Sequence, residues 1–242
     1  MTLTPEAAEE NFRDYLLDGI ASEIFRADQA YSLGEHIGQF AEEINAANFG
    51  ELFGSLQIVL SDRQTLSVVI IFEPTRRYPT WSIPSVLGLL QSEAETWRVP
   101  EPGKLRRVLV NSGSDSTSVE QMNNTELTYA ICCYLRSTLS NTKRLEPGNP
   151  SHGLDAVARL SQQVIAHNEA IDSASFQSPT WGDATSLLNY AKQFVTTIGL
   201  GYLGLHFEDG SDSYSLSHGA RRTSNSLRRL LRAADIIEGS RF

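Results

Sequence analysis

The chain of 242 residues is poor in cysteine, and its only two cysteines, Cys132 and Cys133, are adjacent. Neighbours on a helix point about 100° apart, so these two thiols are poorly placed to form a disulfide with each other. No Cys-x-x-Cys pair and no closely spaced set of cysteine and histidine occurs, which argues against a structural zinc site. We therefore expect no metal and no cofactor, and we expect both cysteines to be small apolar residues on a buried helix.

Long uncharged apolar runs are also missing, and no stretch approaches the roughly 18 residues of a membrane span. The first residues are acidic and lack the basic start and the apolar stretch of a signal peptide. A nucleophile elbow is absent, and Gly-Tyr-Leu-Gly at 201–204 follows no strand, as a phosphate loop would require. We expect a cytoplasmic protein that has no membrane partner.

Basic residues are scarce at the start of the chain. Residues 1–52 contain eleven acidic and two basic side chains, so this segment alone accounts for the net charge of −9. The remainder of the chain holds equal numbers of both signs. Because an acidic N-terminal face repels nucleic acid, any binding of nucleic acid is expected elsewhere on the molecule.

Apolar residues recur at helical spacing along most of the chain, and this period predicts an all-α protein. The predicted helices cover residues 4–27, 31–72, 82–97, 117–141, 154–171, 179–199 and 217–237. Residues 99–116 are expected to be mostly loop, with at most one turn at 104–108, since they contain two prolines and several glycines and serines. We expect one domain over residues 1–242, with an acidic helix at 1–30, a helical bundle at 31–200 and an arginine-rich helix at 216–237.

The helix predicted over residues 31–72 is expected to bend near Asn48 and Gly50, which both weaken a helix. The β-branched run at 68–72 is also assigned to this helix, because no second strand stands nearby to pair with it. The buried stripe of the helix is expected to consist of Leu52, Leu56, Val59, Leu60, Arg63, Leu66 and Ile70. Asp62 and Arg63 must then be satisfied by partners, either as a structural ion pair or in a functional groove.

The candidate catalytic centre is the helix predicted over residues 154–171, which carries His167, Asn168 and Glu169 near its end. Gln163 lies one turn below His167, and Arg159 lies two turns below it, about 80° round the axis. An imidazole transfers protons near neutral pH, and a guanidinium stabilises negative charge on phosphorus. The two groups together suit metal-independent phosphodiester cleavage, with Gln163, Asn168 and Glu169 in support. The alternative is a structural histidine that interacts with the C-terminal helix dipole.

A second candidate site lies on the predicted C-terminal helix. Arg221, Arg228 and Arg232 share one face at offsets of seven and eleven residues, while leucines supply an apolar side. Such a face suits contact with RNA phosphates, with an affinity that falls steeply as salt rises. The alternatives are a solvated face, or a patch that pairs with the acidic N-terminal helix of the same or another subunit.

Five stretches occur in an order that resembles the AbiU-like, abortive-infection branch of the HEPN superfamily. They are FGSLQIVLSDRQTLSVVIIFEPTRR, SIPSVLGLL, VIAHNEAI, SPTWGDATSLLNYAKQFV and RRTSNSLRRLLRAADI. The resemblance extends over most of the chain, from about residue 35 to 237. It implies a HEPN-like helical bundle with additional helices, which forms a homodimer with its catalytic grooves near the interface. Many HEPN proteins are metal-independent endoribonucleases that act as toxins or antiviral effectors.

The resemblance further implies a catalytic arginine that precedes the histidine by four to six intervening residues. His167 matches the histidine, but the arginine would fall at 160–162, where the chain has Leu, Ser and Gln. Arg159 lies one place outside that window, and the AbiU-like pattern would have arginine in place of Ser161.

Two functions follow as hypotheses. The first is an endoribonuclease of an abortive-infection or toxin–antitoxin (antiphage) system, with His167 as acid and base and Arg159 as phosphate stabiliser. The second is a catalytically degenerate dimeric scaffold that binds nucleotide, RNA or a protein such as a cognate antitoxin or regulator.

Overall fold

The computed structural model describes residues 5–73, 80–142, 181–207 and 216–238, and the regular elements in these ranges are all helical. The α-helices are α1 (Pro5–Asp14), α2 (Ser22–Gln39), α3 (Ala41–Ala46), α4 (Gly50–Phe72), α5 (Ile83–Ser92), α6 (Pro102–Asn111), α7 (Ser116–Gln121), α8 (Asn124–Thr142), α9 (Trp181–Leu203) and α10 (His218–Ala233). The predicted all-α class is therefore confirmed. The helix predicted over residues 154–171 lies outside the described residues.

The N-terminal helix continues well past its predicted end. A π-helical segment, Tyr15–Ala21, joins α1 to α2, so the chain stays helical from residue 5 to residue 39. The predicted end near residue 27 is wrong, because Asp28 lies within α2, is buried and forms an ion pair with Lys192 on α9. The helix ends instead at Phe40, whose backbone leaves the helical region.

The π-helical segment packs against the residues just before α5. Leu16 and Ile20 are fully buried in the core. A Cβ atom added to Gly19 would lie 2.4 Å from the Cβ of Trp81, which precedes α5. Only glycine allows the two backbones to approach this closely.

Helix α4 buries a different face from the predicted one. Its buried residues are Phe53, Gln64, Thr65, Ser67, Val68, Ile71 and Phe72. Four members of the predicted inner stripe are exposed, namely Leu52 (55%), Leu56 (41%), Val59 (63%) and Ile70 (39%). Apolar residues surround most of this helix, so their spacing alone does not determine which side faces inward.

Polar contacts select the buried face of α4. Glu23 on α2 is 8% exposed, and its carboxylate accepts hydrogen bonds from Arg63 at 2.9 Å and from Ser67 at 2.8 Å. Arg26 completes the group through a second ion pair with Glu23. A buried carboxylate must be paired, so α4 turns Ser67 and the flank of Arg63 towards α2. Arg63 is thus part of a structural ion pair, one of the two predicted alternatives.

The predicted bend near Asn48 is confirmed as a complete break between α3 and α4. Asn48 has φ = +64°, in the left-handed region that asparagine tolerates better than most residues. The tight turn brings Gly50 so close to Asn45 that an added Cβ would lie 2.0 Å from its Oδ1.

Three predicted elements in the middle of the chain differ from the structure. The helix predicted over 82–97 ends at Ser92. Residues 102–111 form α6 instead of loop, since Pro102 occupies the first turn and Leu105 and Leu109 are buried. The single helix predicted over 117–141 is divided into α7 and α8. The division falls at Asn123, whose side chain and that of Glu126 accept each other's backbone N–H at 2.9 Å, a capping box that starts α8.

The interior consists of two clusters. The larger contains apolar residues from α1 through α9, with Phe12, Trp97 and Tyr202 in mutual ring contact. The smaller cluster, called here the satellite core, joins α10 to α2, α3 and α4 and consists of Ile37, Ile44, Phe53, Leu231 and Ile237. This satellite core fixes the position of the arginine-rich helix.

Candidate anion-binding face

Helix α10 docks on α2 through small residues. Ala220, Ser224 and Leu231 are buried, and the hydroxyl groups of Ser224 and Ser32 lie 2.6 Å apart. Their face of the helix contains no arginine, so all five arginines of α10 lie on its other sides. The helix contains no acidic residue to offset this charge.

Four of the arginines border a groove of about 440 Å³. Its lining residues are Arg222, Asn225, Ser226, Arg228, Arg229 and Arg232. Positions 222, 225, 229 and 232 are three or four residues apart, so their side chains rise one above another along the helix. The groove is therefore a strip of positive charge with hydrogen-bonding side chains between the guanidinium groups.

The guanidinium groups of this groove have no acidic partner among the described residues. Across the part of the chain that the structure describes, Arg222, Arg228, Arg229 and Arg232 form no ion pair. The Nε atoms of Arg228 and Arg232 are buried, and neither donates a hydrogen bond. A buried donor left without an acceptor costs free energy in a folded protein. We refer to the four arginines and their groove as the arginine face.

Two neighbours position individual arginines in the groove. The guanidinium of Arg228 lies 6.0 Å from the ring centroid of Phe40, within the range of a cation–π contact. Arg229 donates a hydrogen bond to Ser226 Oγ at 3.0 Å. These contacts hold part of each side chain, and neither of them brings an acidic group of the described residues to the guanidinium.

The acidic residues of α2 do not neutralise the arginine face, although α2 is the helix on which α10 docks. Glu23 pairs with Arg26 and Arg63, and Asp28 pairs with Lys192. Lys192 also donates to Ser217 Oγ, at the start of α10, at 3.1 Å. Pairing of the arginine face with the acidic helix of the same chain, one predicted alternative, is therefore not found in the described ranges.

The sequence identified part of this site. Arg228 and Arg232 both line the groove as predicted, whereas Arg221 is exposed and lies outside the lining. Arg222 and Arg229 were not assigned to the site. They are seven residues apart, as Arg221 and Arg228 are, so spacing alone does not distinguish the two pairs. The docking of Leu231 shows which arginines share a groove.

The predicted catalytic residues lie outside the described residues. They are Arg159, Gln163, His167, Asn168 and Glu169. Their arrangement therefore stays a prediction from the sequence. Among the residues that are described, no group of three or more His, Cys, Asp or Glu side chains is arranged to hold a metal ion.

No family model, no curated protein and no solved structure matches this chain. One helix in the described ranges, α4, is long and apolar enough to cross a membrane by length and composition alone. Core helices of soluble proteins meet the same criterion, and one third of the relevant window of α4 is buried inside the fold. Within the described ranges, the arginine face is the surface where the arrangement of side chains indicates a chemical role.

Proposed function

We propose that this protein binds RNA through the phosphate backbone, along the arginine face of α10. The observation that carries the proposal is a groove with four guanidinium groups and no acidic partner in the described ranges. Guanidinium groups bind phosphate oxygens in a bidentate manner, and nucleic-acid affinity depends mainly on such contacts.

The length of the arginine face favours a polyanion over a single phosphate ion. Arg222 and Arg232 are ten residues apart, which corresponds to about 15 Å along the helix. One phosphate cannot contact both ends of such a strip. The acidic N-terminal segment disfavours nucleic acid on its own surface, so binding is expected away from that segment, as the arginine face of α10 is. The resemblance to HEPN proteins favours RNA as the nucleic acid.

A binding assay with matched variants tests this proposal. Fluorescence anisotropy with a labelled single-stranded RNA should give a Kd that rises about tenfold or more in the double variant Arg228→Gln/Arg232→Gln, because two charge-assisted contacts are lost. Arg107→Gln is the control, since Arg107 is exposed on α6 and forms no ion pair with a described residue. Equal affinity of the wild type and the double variant, both folded by circular dichroism, would refute the arginine face as the RNA site.

A second candidate function is metal-independent cleavage of the bound RNA. It is supported by the His167-Asn168-Glu169 triplet with Arg159 two turns earlier in the sequence, and by the resemblance to endoribonucleases of abortive-infection and toxin–antitoxin systems. In that case the protein acts in the cytoplasm, and a cognate antitoxin or regulatory protein restrains it.

Incubation with total RNA in EDTA separates the two functions. Cleavage by the wild type that is lost in both His167→Ala and Arg159→Ala supports the nuclease. RNA that is bound but stays intact with all three proteins supports a binding module without catalysis. Growth arrest on expression of the wild type, but not of His167→Ala, is the corresponding observation in cells.

A further inference from the structure

The exposed large apolar side chains of the described residues are concentrated at the start of α4. They include Phe49, Leu52, Leu56, Ile58 and Val59, and the last two are 66% and 63% exposed. Single exposed apolar residues are common on proteins, whereas a group of them in one place indicates an interaction surface. The first half of α4 is therefore a candidate docking surface.

Three of these residues form a row that a second helix can contact. Leu52, Leu56 and Val59 are four and three residues apart, and at 100° per residue they lie within an arc of about 60°. Helices that dock in a surface groove use apolar anchors at this same spacing. The row is thus suited to an α-helical partner.

Two acidic side chains border the row along one edge. On the helical wheel, Glu51 and Asp62 lie about 60–80° from Val59. Glu51 is exposed, Asp62 is partly exposed, and neither forms an ion pair with a described residue. We call these two carboxylates and the row of Leu52, Leu56 and Val59 the α4 docking face.

The charge of the α4 docking face does not complement itself. Arg63 is the only basic residue of α4, and its guanidinium is bonded to the Glu23 carboxylate of α2 at 2.9 Å. A second α4 would therefore bring two more carboxylates to the contact and no free cation. Like charges across an interface are unfavourable, so the partner must differ from α4 in charge.

A lipid bilayer is also a poor occupant of this face. The carboxylates repel anionic lipid headgroups, and a charged side chain within the hydrocarbon is costly. The second half of α4 is held in the protein core, where Val68 and Ile71 are fully buried. Insertion of the helix would require the fold to open.

We propose that the α4 docking face binds a basic amphipathic helix of another protein. The apolar side of that helix covers Leu52, Leu56 and Val59, and lysine or arginine along its edge pairs with Glu51 and Asp62. Lysine and arginine suit this edge, because their aliphatic stems cover apolar surface while their charged groups reach the carboxylates. The two carboxylates are about 16 Å apart along the helix axis, so each requires a cation of its own.

The size of the α4 docking face predicts a weak and transient complex. The face is about 16 Å long and about 10 Å wide, whereas stable complexes bury about 800 Å² per partner. Rapid exchange between free and bound protein is therefore expected. This inference concerns α4 alone and stands independently of RNA binding.

An NMR titration in buffer without RNA tests the proposal. The isotope-labelled protein is titrated with a short peptide of leucine and lysine whose leucines lie on one helical face. Amide chemical shifts should change over residues 49–62, and their dependence on peptide concentration gives the Kd. A peptide with glutamate in place of every lysine is the matched probe. Its Kd should be about tenfold higher or more, because like charges then meet.

Charge variants identify which carboxylates bind the peptide. Glu51→Gln/Asp62→Asn should raise the Kd about fivefold, since two ion pairs are lost. Glu9→Gln/Glu10→Gln is the control, because it removes the same charge from exposed positions on α1. The control should bind the peptide as the wild type does.

An apolar variant tests the row itself. Val59→Ser should raise the Kd about fivefold, because apolar surface is no longer covered on binding. Val110→Ser makes the same change at an exposed position on α6 and should leave the Kd unchanged.

Several results would overturn the proposal. They are the absence of any shift, shifts that fall on α1 instead of α4, and equal Kd values for the two peptides. Self-association of the wild type that Val59→Ser abolishes would assign the face to a second copy of the chain. Flotation of the wild type, but not of Val59→Ser, on phosphatidylcholine vesicles would assign it to lipid.

Discussion

Two adjacent cysteines on α8 lie in opposite environments, and only one of them agrees with the sequence-based expectation. Cys132 is buried as expected, whereas Cys133 is exposed, because neighbours on a helix point in different directions. Burial raises the pKa of the Cys132 thiol to about 12, an effect that Arg136 only partly offsets. The thiolate is the reactive form, so Cys132 should be inert while the protein is folded.

This contrast gives a prediction for alkylation. Iodoacetamide at mildly alkaline pH should label Cys133 in the native protein and leave Cys132 unmodified until denaturant is added. Peptide mass spectrometry measures both sites separately. Cys133→Ser should abolish native labelling, and labelling of Cys132 in that folded variant would contradict the buried placement.

At the scale of secondary structure elements, the close packing of the π-helical segment against Trp81 should be sensitive to a single methyl group. Gly19→Ala would place a Cβ 2.4 Å from the Cβ of Trp81, so the chain must shift. We expect a loss of about 1–3 kcal/mol in the free energy of unfolding, as for other overpacked sites. Urea denaturation followed by circular dichroism measures the difference.

Gly54→Ala on α4 is the control for this prediction. An added Cβ there meets no atom within 4 Å, so the methyl group brings no clash. Alanine in a helix is favoured over glycine by about 0.5–1 kcal/mol, and this variant should be slightly more stable than the wild type. Destabilisation of both variants to a similar extent would show that the Trp81 contact is not the cause.

The elements also show where sequence patterns suffice and where they do not. Helical periodicity predicted the class, and the helix-weakening residues Asn48 and Gly50 predicted the break. The lack of a second strand nearby predicted the helical state of the β-branched run at 68–72. Periodicity assigned the wrong face of α4 to the core, because the ion pair between Arg63 and Glu23 joins residues forty positions apart. The sequence contains the capping box at Asn123. The apolar pattern continues on both sides of it, however, and so predicted one helix instead of two.

At the scale of the whole molecule, charge is separated between an acidic N-terminal segment and the arginine face. The same separation made part of the site predictable, since α10 contains five arginines and no acidic residue. Which four of them line one groove could not be predicted, because that depends on how Leu231 docks into the satellite core. The predicted catalytic residues around His167 stay a prediction from sequence alone.

This charge separation predicts how RNA binding responds to salt. If four guanidinium groups neutralise four phosphates of a single strand, log K should fall with log salt concentration with a slope of about −3. Anisotropy titrations at several potassium chloride concentrations measure the slope. Removal of two contacts in Arg228→Gln/Arg232→Gln should bring the slope to about half, whereas Arg107→Gln should leave it unchanged. A flat dependence for the wild type would exclude a phosphate-dominated interface.

The satellite core determines which part of this protein is expected to unfold locally first. Because the hydrophobic anchor of α10 is small and separate from the main interior, the amide protons of α10 should exchange with deuterium before those of α9, whose buried face belongs to the larger cluster. The cationic strip would then sit on the part of the molecule that opens first. A polyanion bound there should therefore stabilise α10 against local unfolding, and the stability of the larger cluster should stay the same.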